Sequence, residues 1–163
     1  MNTGQTLLTI LAIMLLGSNV VGVNKTFTQH GIILQQTEIG VFGVSLGQSI
    51  IEEAQGKRYD ANTADSVAAS VDELSSTLGP EAGETTRTDF NDFDDYNGWK
   101  DSLYVDGVDR FKRWATVCYV DTSKLDDSSA TRKWHKKLTV FVKPDNVQDT
   151  IKLSYIFSYW SFR

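Results

Sequence analysis

Apolar and polar positions follow three different rhythms along this chain. From Leu7 to Val23 (LLTILAIMLLGSNVVGV) no residue is charged, and only Ser18 and Asn19 interrupt the apolar run late in its course. Seventeen helical residues rise about 25 Å, close to the ~30 Å hydrocarbon core of a bilayer. No basic residue precedes the run and no small-x-small cleavage site follows it before Asn24, so it reads as a retained membrane helix rather than a removed signal peptide. Beyond it the rhythm changes. Ile39, Phe42, Leu46 and Ile50 recur at spacings of three and four, which is one face of a helix, and Gly56 is a natural terminator. One helix is therefore predicted from about residue 5 to about residue 55, with a break near Asn24 to Gly31. Val67, Val71, Leu74 and Leu78 predict a short second helix over 63–78, stopped by Gly79-Pro80. Residues 79–110 read as loop. The last third alternates with period two. Leu138, Val140 and Val142 oppose Lys137, Thr139 and Lys143; Ile151, Leu153, Tyr155, Phe157 and Tyr159 oppose Lys152, Ser154 and Ser158. With residues 111–121 as a third strand and 124–130 as a connector, an antiparallel meander is predicted. The fold class is then α+β: a long N-terminal helix, membrane-spanning in its first half, packed on a small antiparallel β-meander.

The chain has 163 residues, 40% hydrophobic and 23% charged, which suits one folded domain and excludes a disordered chain. Two Pro and one Cys exclude collagen-like and disulfide-stapled classes. Two His and one Cys cannot build the usual Cys/His zinc site. A net charge of −5 argues against nucleic acid as a partner. That charge is unevenly placed. Residues 60–109 hold 13 acidic and 2 basic residues, net −11, whereas residues 110–163 hold 11 basic and 5 acidic, net +6. An acidic loop lying over a basic-faced sheet fits this pattern, as does a charge-complementary contact between subunits.

The candidate chemistry is sparse. His30, His135 and Cys118 stand apart in the sequence and form no catalytic constellation, so an enzyme is not expected. Six glycines fall within the first helix, among them Gly17 and Gly22 beside Asn19. Small residues allow close helix approach in a membrane, and an amide can hydrogen-bond across to a neighbouring helix. Asp89, Asp92, Asp94, Asp95 and Asn97 supply oxygen ligands along a short loop, which suits calcium, although the spacing is not that of an EF-hand. The competing reading is a solvated turn pinned to the sheet by Phe93, Tyr96 and Trp99.

Three stretches carry a family resemblance. Val44 to Asp60 (VSLGQSIIEEAQGKRYD) resembles the end of the long first helix in type IV pilin-like proteins, in particular minor pilins of the MshD and PilV kind. Asp89 to Gly98 (DFNDFDDYNG) resembles the Asp-Asp-Tyr-x-Gly loop of the same group, and Lys137 to Pro144 (KLTVFVKP) resembles one of its strands. The resemblance implies a leader over residues 1–4 cut by a prepilin peptidase between Gly4 and Gln5, a transmembrane and assembly helix over 5–28, and a pilin-like head over 29–163. That head would comprise the helix end 29–55, a variable acidic region 56–110 and the meander 111–163. It also implies a structural subunit of a pilus or secretion-type (pseudopilin-like) filament, a minor component; calcium at the acidic loop aside, no cofactor is expected. Its partners would be other pilin-like subunits, the inner-membrane assembly machinery and membrane lipid. Such a protein would sit in a bacterial inner membrane as a single-pass protein with its head in the periplasm, and at the cell surface once assembled. Gln5 and Thr9 depart from the family, which usually has Phe at the first mature position and Glu at the fifth. The alternative function is a single-pass anchored binding module that forms no filament.

Overall fold

The computed structural model describes residues 2–63 and 67–162, with the side chains of 161 and 162 left aside. The chain divides into two units, Met1–Glu38 and Ile39–Arg163. Helix α1 spans Thr3–Gln55 and carries no break at residues 24–31. It is long and apolar enough to cross a membrane. Its apolar side chains in the first unit, such as Leu7, Leu11, Met14, Leu16 and Val21, are exposed. Nothing within the unit covers them, so the first half of the helix owes its order to backbone hydrogen bonds. A surface this apolar is stable where lipid or other helices replace water.

The second unit begins where α1 starts to bury residues: Ile39, Gly43, Gly47, Ile50, Ile51 and Ala54. This face packs on the sheet. Each buried isoleucine contributes about 1.5–3 kcal/mol of transfer free energy. The expected face was close but not identical, because Phe42 is 38% exposed and the neighbouring Gly43 faces inward. The two inward glycines have a direct reason. A Cβ built on Gly47 would lie 2.6 Å from Leu153 Cδ1 and 3.3 Å from Val142 Cγ2, and one on Gly43 would collide with Ile151. The helix lies so close to the sheet that sheet side chains occupy the space a side chain would need.

The sheet has five antiparallel strands: β1 (Lys100–Val105), β2 (Asp109–Asp121), β3 (Lys124–Ser129), β4 (His135–Pro144) and β5 (Ile151–Ser158). Their order is β1-β2-β4-β5, with β3 also paired to β2. β2 is the spine. It pairs with β4 from Phe111↔Pro144 to Tyr119↔Lys136, and with β1 from Val105↔Asp109 to Lys100↔Trp114. The inward positions of β2 are Phe111, Arg113, Ala115, Val117 and Tyr119; those of β4 are Lys136, Leu138, Val140 and Val142. On the opposite face Trp114 stacks on its cross-strand partner Phe141, with centroids 5.2 Å apart and planes at 7°.

The predicted meander gains two strands. β1 lies in the stretch expected to be loop, joined to β2 through Asp106-Gly107, where Gly107 adopts φ +76°. β3 replaces the expected connector. The predicted helix over 63–78 does not form; residues 64–66 of it lie outside the described residues. Among its described residues, Thr63 closes a 3-10 turn that begins at Ala61, and a second 3-10 turn, Val71–Glu73, is capped by Ser70, whose side chain accepts from Asp72 N. The backbone N–H of Ser75 is taken by the Asp60 carboxylate at 3.0 Å rather than by a helical carbonyl. Val67, which would have been on the inner face of that helix, is 59% exposed.

Candidate functional site

Two regions held the sequence-based candidates. On α1, Gly4 and Gln5 lie in the first turn, where Gln5 N donates to Asn2 O at 2.8 Å. Asn19 Nδ2 donates to Leu15 O at 2.9 Å and Ser18 Oγ to the same carbonyl at 3.2 Å. The polar side chains of the apolar run are thus partly satisfied within their own helix. Asn19 still holds a second N–H and its carbonyl oxygen. Gly17 and Gly22 have open space around them. Asn19, Gly22, Thr26 and His30 follow one another along one side of the helix and line a shallow concavity there.

The acidic region is a folded layer, not a solvated turn. Asp92, Asp94 and Asp95 are fully buried, as are Phe93 and Tyr96. Phe93 meets Phe157 of β5 at 3.9 Å between centroids, as expected, whereas the Tyr96 hydroxyl reaches helix α1, donating to Glu53 Oε1 at 2.9 Å. Of these three carboxylates, Asp94 is drawn in by Lys136. Its Nζ donates to Asp60 Oδ2 at 2.8 Å, to Asp94 Oδ1 at 2.5 Å and to Tyr59 O at 2.9 Å, and all three charged side chains have zero exposure. The rings of Tyr59 and Tyr119 lie 4.7 and 5.5 Å from the ammonium. Asp60 is further held by Asn62 N, by the backbone and hydroxyl of Ser75, and by Tyr119 Oη. Three acidic side chains thus compete for fewer donors. Asp92 Oδ2, Asp94 Oδ2 and Asp95 Oδ1 are buried with no hydrogen-bond partner. Burial, then the Asp94 carboxylate, pushes Asp92 up to about 8. Burial likewise raises Asp94, against the pull of Lys136, and raises Asp95.

The five residues proposed as oxygen ligands are not equivalent. Asp89 is exposed and caps its own turn, accepting from Thr86 N at 2.9 Å and Thr86 Oγ1 at 2.8 Å, which holds it below the usual carboxylate range. Asn97 is spent on the backbone: Nδ2 donates to Leu78 O and Oδ1 accepts from Val117 N. Asp94 is committed to Lys136. Asp92 and Asp95 remain, and the structure brings Glu81 and Glu84 to them. Carboxylate oxygens of Glu81, Glu84 and Asp95 lie within 4.8 Å of one another. Sequence reasoning missed Lys136, Asp60, Glu81 and Glu84. Lys136 was detectable, because it occupies the inward phase of β4, two positions before Leu138, where a lysine requires a buried counter-charge. His30 is exposed on α1, and His135 opens β4 half-buried. Cys118 is a half-buried thiol on β2 whose pKa burial raises, which disfavours the reactive thiolate.

No family model matches the chain, and neither a curated protein nor a solved structure matches it.

Proposed function

We propose that this protein is a membrane-anchored structural subunit of the type IV pilin-like kind, inserted through the first half of α1 and assembling with copies or relatives as a minor filament component. The observation that carries this reading is that exposed apolar residues on α1 run past the length a bilayer needs. Phe27, Ile32, Ile33, Leu34 and Val41 are 52–73% exposed, beyond the uncharged stretch that ends at Val23. A lone anchor needs about 20 apolar residues and gains nothing from more. A helix that packs among neighbouring helices does, because each buried apolar side chain adds to the association. The implied setting is a bacterial inner membrane with the head in the periplasm, processing between Gly4 and Gln5 by a prepilin peptidase, and partners among pilin-like subunits and the assembly machinery.

The test is crosslinking in native membranes through single cysteines at positions 15–22, with Cys118 replaced by serine. Crosslinks that recur with helical period are expected. Asn19→Leu should lower them about five-fold, the equivalent of one interhelical hydrogen bond of about 1 kcal/mol, while improving membrane retention. Crosslinking no higher than background would leave the anchored binding module as the reading of choice.

A further inference from the structure

We propose that the outward face of the sheet is an interaction surface for a second copy of this chain, taking that copy's acidic loop, Glu81 to Asp89. The inference deepens the filament reading and rests on it. In the phase of Trp114 and Phe141, which lie on the face away from α1, the strand positions carry Lys100, Arg110, Lys112, Lys137, Lys143 and Lys152 and no acidic residue. Lys100, Trp114, Phe141 and Lys152 form one row across four strands. In the next row Lys112 stands directly opposite Lys143. Like charges at directly opposed positions destabilise a sheet. Asp145 answers them only in part. Its carboxylate takes Lys112 Nζ at 2.7 Å, and Arg110 and Lys143 add to the pull that holds it below the usual carboxylate range. Lys100, Arg110, Lys143 and Lys152 enter no ion pair among the described residues.

The complementary surface is on the same chain but on the other side of the head. Arg87 ties the loop to Glu53 of α1, and Asp94 of the same layer meets Lys136, an inward position of β4. The loop therefore lies on the helix side of the sheet. Glu81 and Asp89 are exposed and Glu84 is half-buried. Carboxylate oxygens of Glu81, Glu84 and Asp95 crowd within 4.8 Å of one another. No cation pairs with Glu81, Glu84 or Asp89 among the described residues. Each surface is thus crowded with charge of one sign, and the fold keeps the two apart within one chain. The charge pattern of the sequence suggested an acidic loop over a basic-faced sheet; the loop covers the opposite face.

Between copies the two surfaces meet, and each relieves the crowding of the other. Two different patches joined in this way make a heterologous contact, which leaves one patch of each kind free and so repeats into a ring or an open filament. Complementary charge steers such a contact and fixes its register. Single-stranded nucleic acid fits the face less well. Trp114 and Phe141 stack on each other with planes at 7°, and Lys100 and Lys152 flank them in the row. Neither ring offers a bare face on which a base could stack.

The experiment is disulfide crosslinking in native membranes between two tagged forms of the full chain. Each has Cys118 replaced by serine and carries one reporter cysteine: Ala82→Cys in the acidic loop of one, Ser102→Cys on β1 of the other. Both positions are exposed. Crosslinks between unlike reporters are expected to exceed those between like reporters. Lys143→Glu/Lys152→Glu in the Ser102→Cys form sets like charges together and should lower the crosslink about ten-fold. Glu81→Lys/Glu84→Lys in the Ala82→Cys form should do the same, and the two reversed forms mixed together should restore it. Restoration also shows that both variants fold. Three results would overturn the contact: like and unlike reporters crosslinking equally, an undiminished crosslink in the Lys143→Glu/Lys152→Glu form, or no restoration by the swapped pair. The last would assign the face to another polyanion, such as lipid or nucleic acid. Cysteines at positions 15–22 keep the two readings separate. Crosslinks there with none between heads strike the head contact alone, whereas their absence strikes the filament itself.

Discussion

Lys136→Met is expected to cost the head about 3–5 kcal/mol, a large share of the ~5–15 kcal/mol that holds a typical domain folded. Methionine fills nearly the same volume, so the loss is electrostatic. Lys136 is the only cation shown to reach Asp60 and Asp94 among the described residues, and all three side chains are sealed from water. Without it, Asp60 retains Asn62 N and Ser75, whereas Asp94 Oδ1 loses the ammonium and Asp94 Oδ2 is already unpartnered. An uncompensated buried charge is far more costly than the pair is stabilising, which is why breaking such a pair destabilises more than replacing it whole. Lys136→Met with Asp94→Asn should therefore recover part of the loss. Lys137→Met is the control; its Nζ donates to Leu125 O and Asp126 O near the surface. Denaturant unfolding followed by near-UV circular dichroism makes the comparison. Equal midpoints for the Lys136→Met and Lys137→Met variants would show that the ion cluster contributes nothing.

Two glycines seven residues apart on α1 are expected to respond with opposite sign. Gly40 has nothing within 4 Å of an added Cβ. Gly40→Ala should stabilise the helix by about 1 kcal/mol through backbone entropy. Gly47→Leu should destabilise the head by about 2–3 kcal/mol or more, because the new side chain must displace Leu153 and press on Val142, which are packed in the core. Gly47→Ala lies between the two: the same helix gain is set against a 2.6 Å approach to Leu153 Cδ1, the end of a side chain that can turn aside. Thermal unfolding of the three variants gives the ranking. If the Gly47→Leu variant were as stable as the Gly40→Ala variant, the close helix–sheet approach would be wrong.

The α+β class was legible because two strong rhythms, 3.6 and 2, occupy separate parts of the chain. The strands that were legible are those with one buried face. β4 and the core of β2 alternate because each sits between two strands with α1 on one side. β1 (KDSLYV) and β3 (KLDDSS) are edge strands with almost no buried positions, so no hydrophobic alternation marks them. Only the Asp106-Gly107 pair signalled the β1–β2 turn. The false helix at 63–78 shows the converse. Its apolar spacing was helical, but Asp60, 15 residues upstream and outside the predicted helix, takes the backbone donor of Ser75. The acidic region failed as a reading for a related reason. Local composition says that aspartates are solvated, whereas Asp94 is buried against a lysine 42 residues later and Asp92 and Asp95 are held by backbone donors of their own loop.

The three charges of the Lys136 cluster also set an order of events during folding. Lys136 reaches Asp60 across 76 positions and Asp94 across 42. None of the three is stable in an apolar interior alone, so partial assembly brings desolvation without compensation. The hairpin of β4 and β5 and the pairing of β2 with β4 bury mainly hydrocarbon and need no such coincidence. They are expected to form first, with the ammonium still in water at the open end of β4. The segment from Arg58 to Asn97 then closes over it as one late step. By the same logic it is the first part of the head to open, so amide exchange there should report a local equilibrium rather than global unfolding.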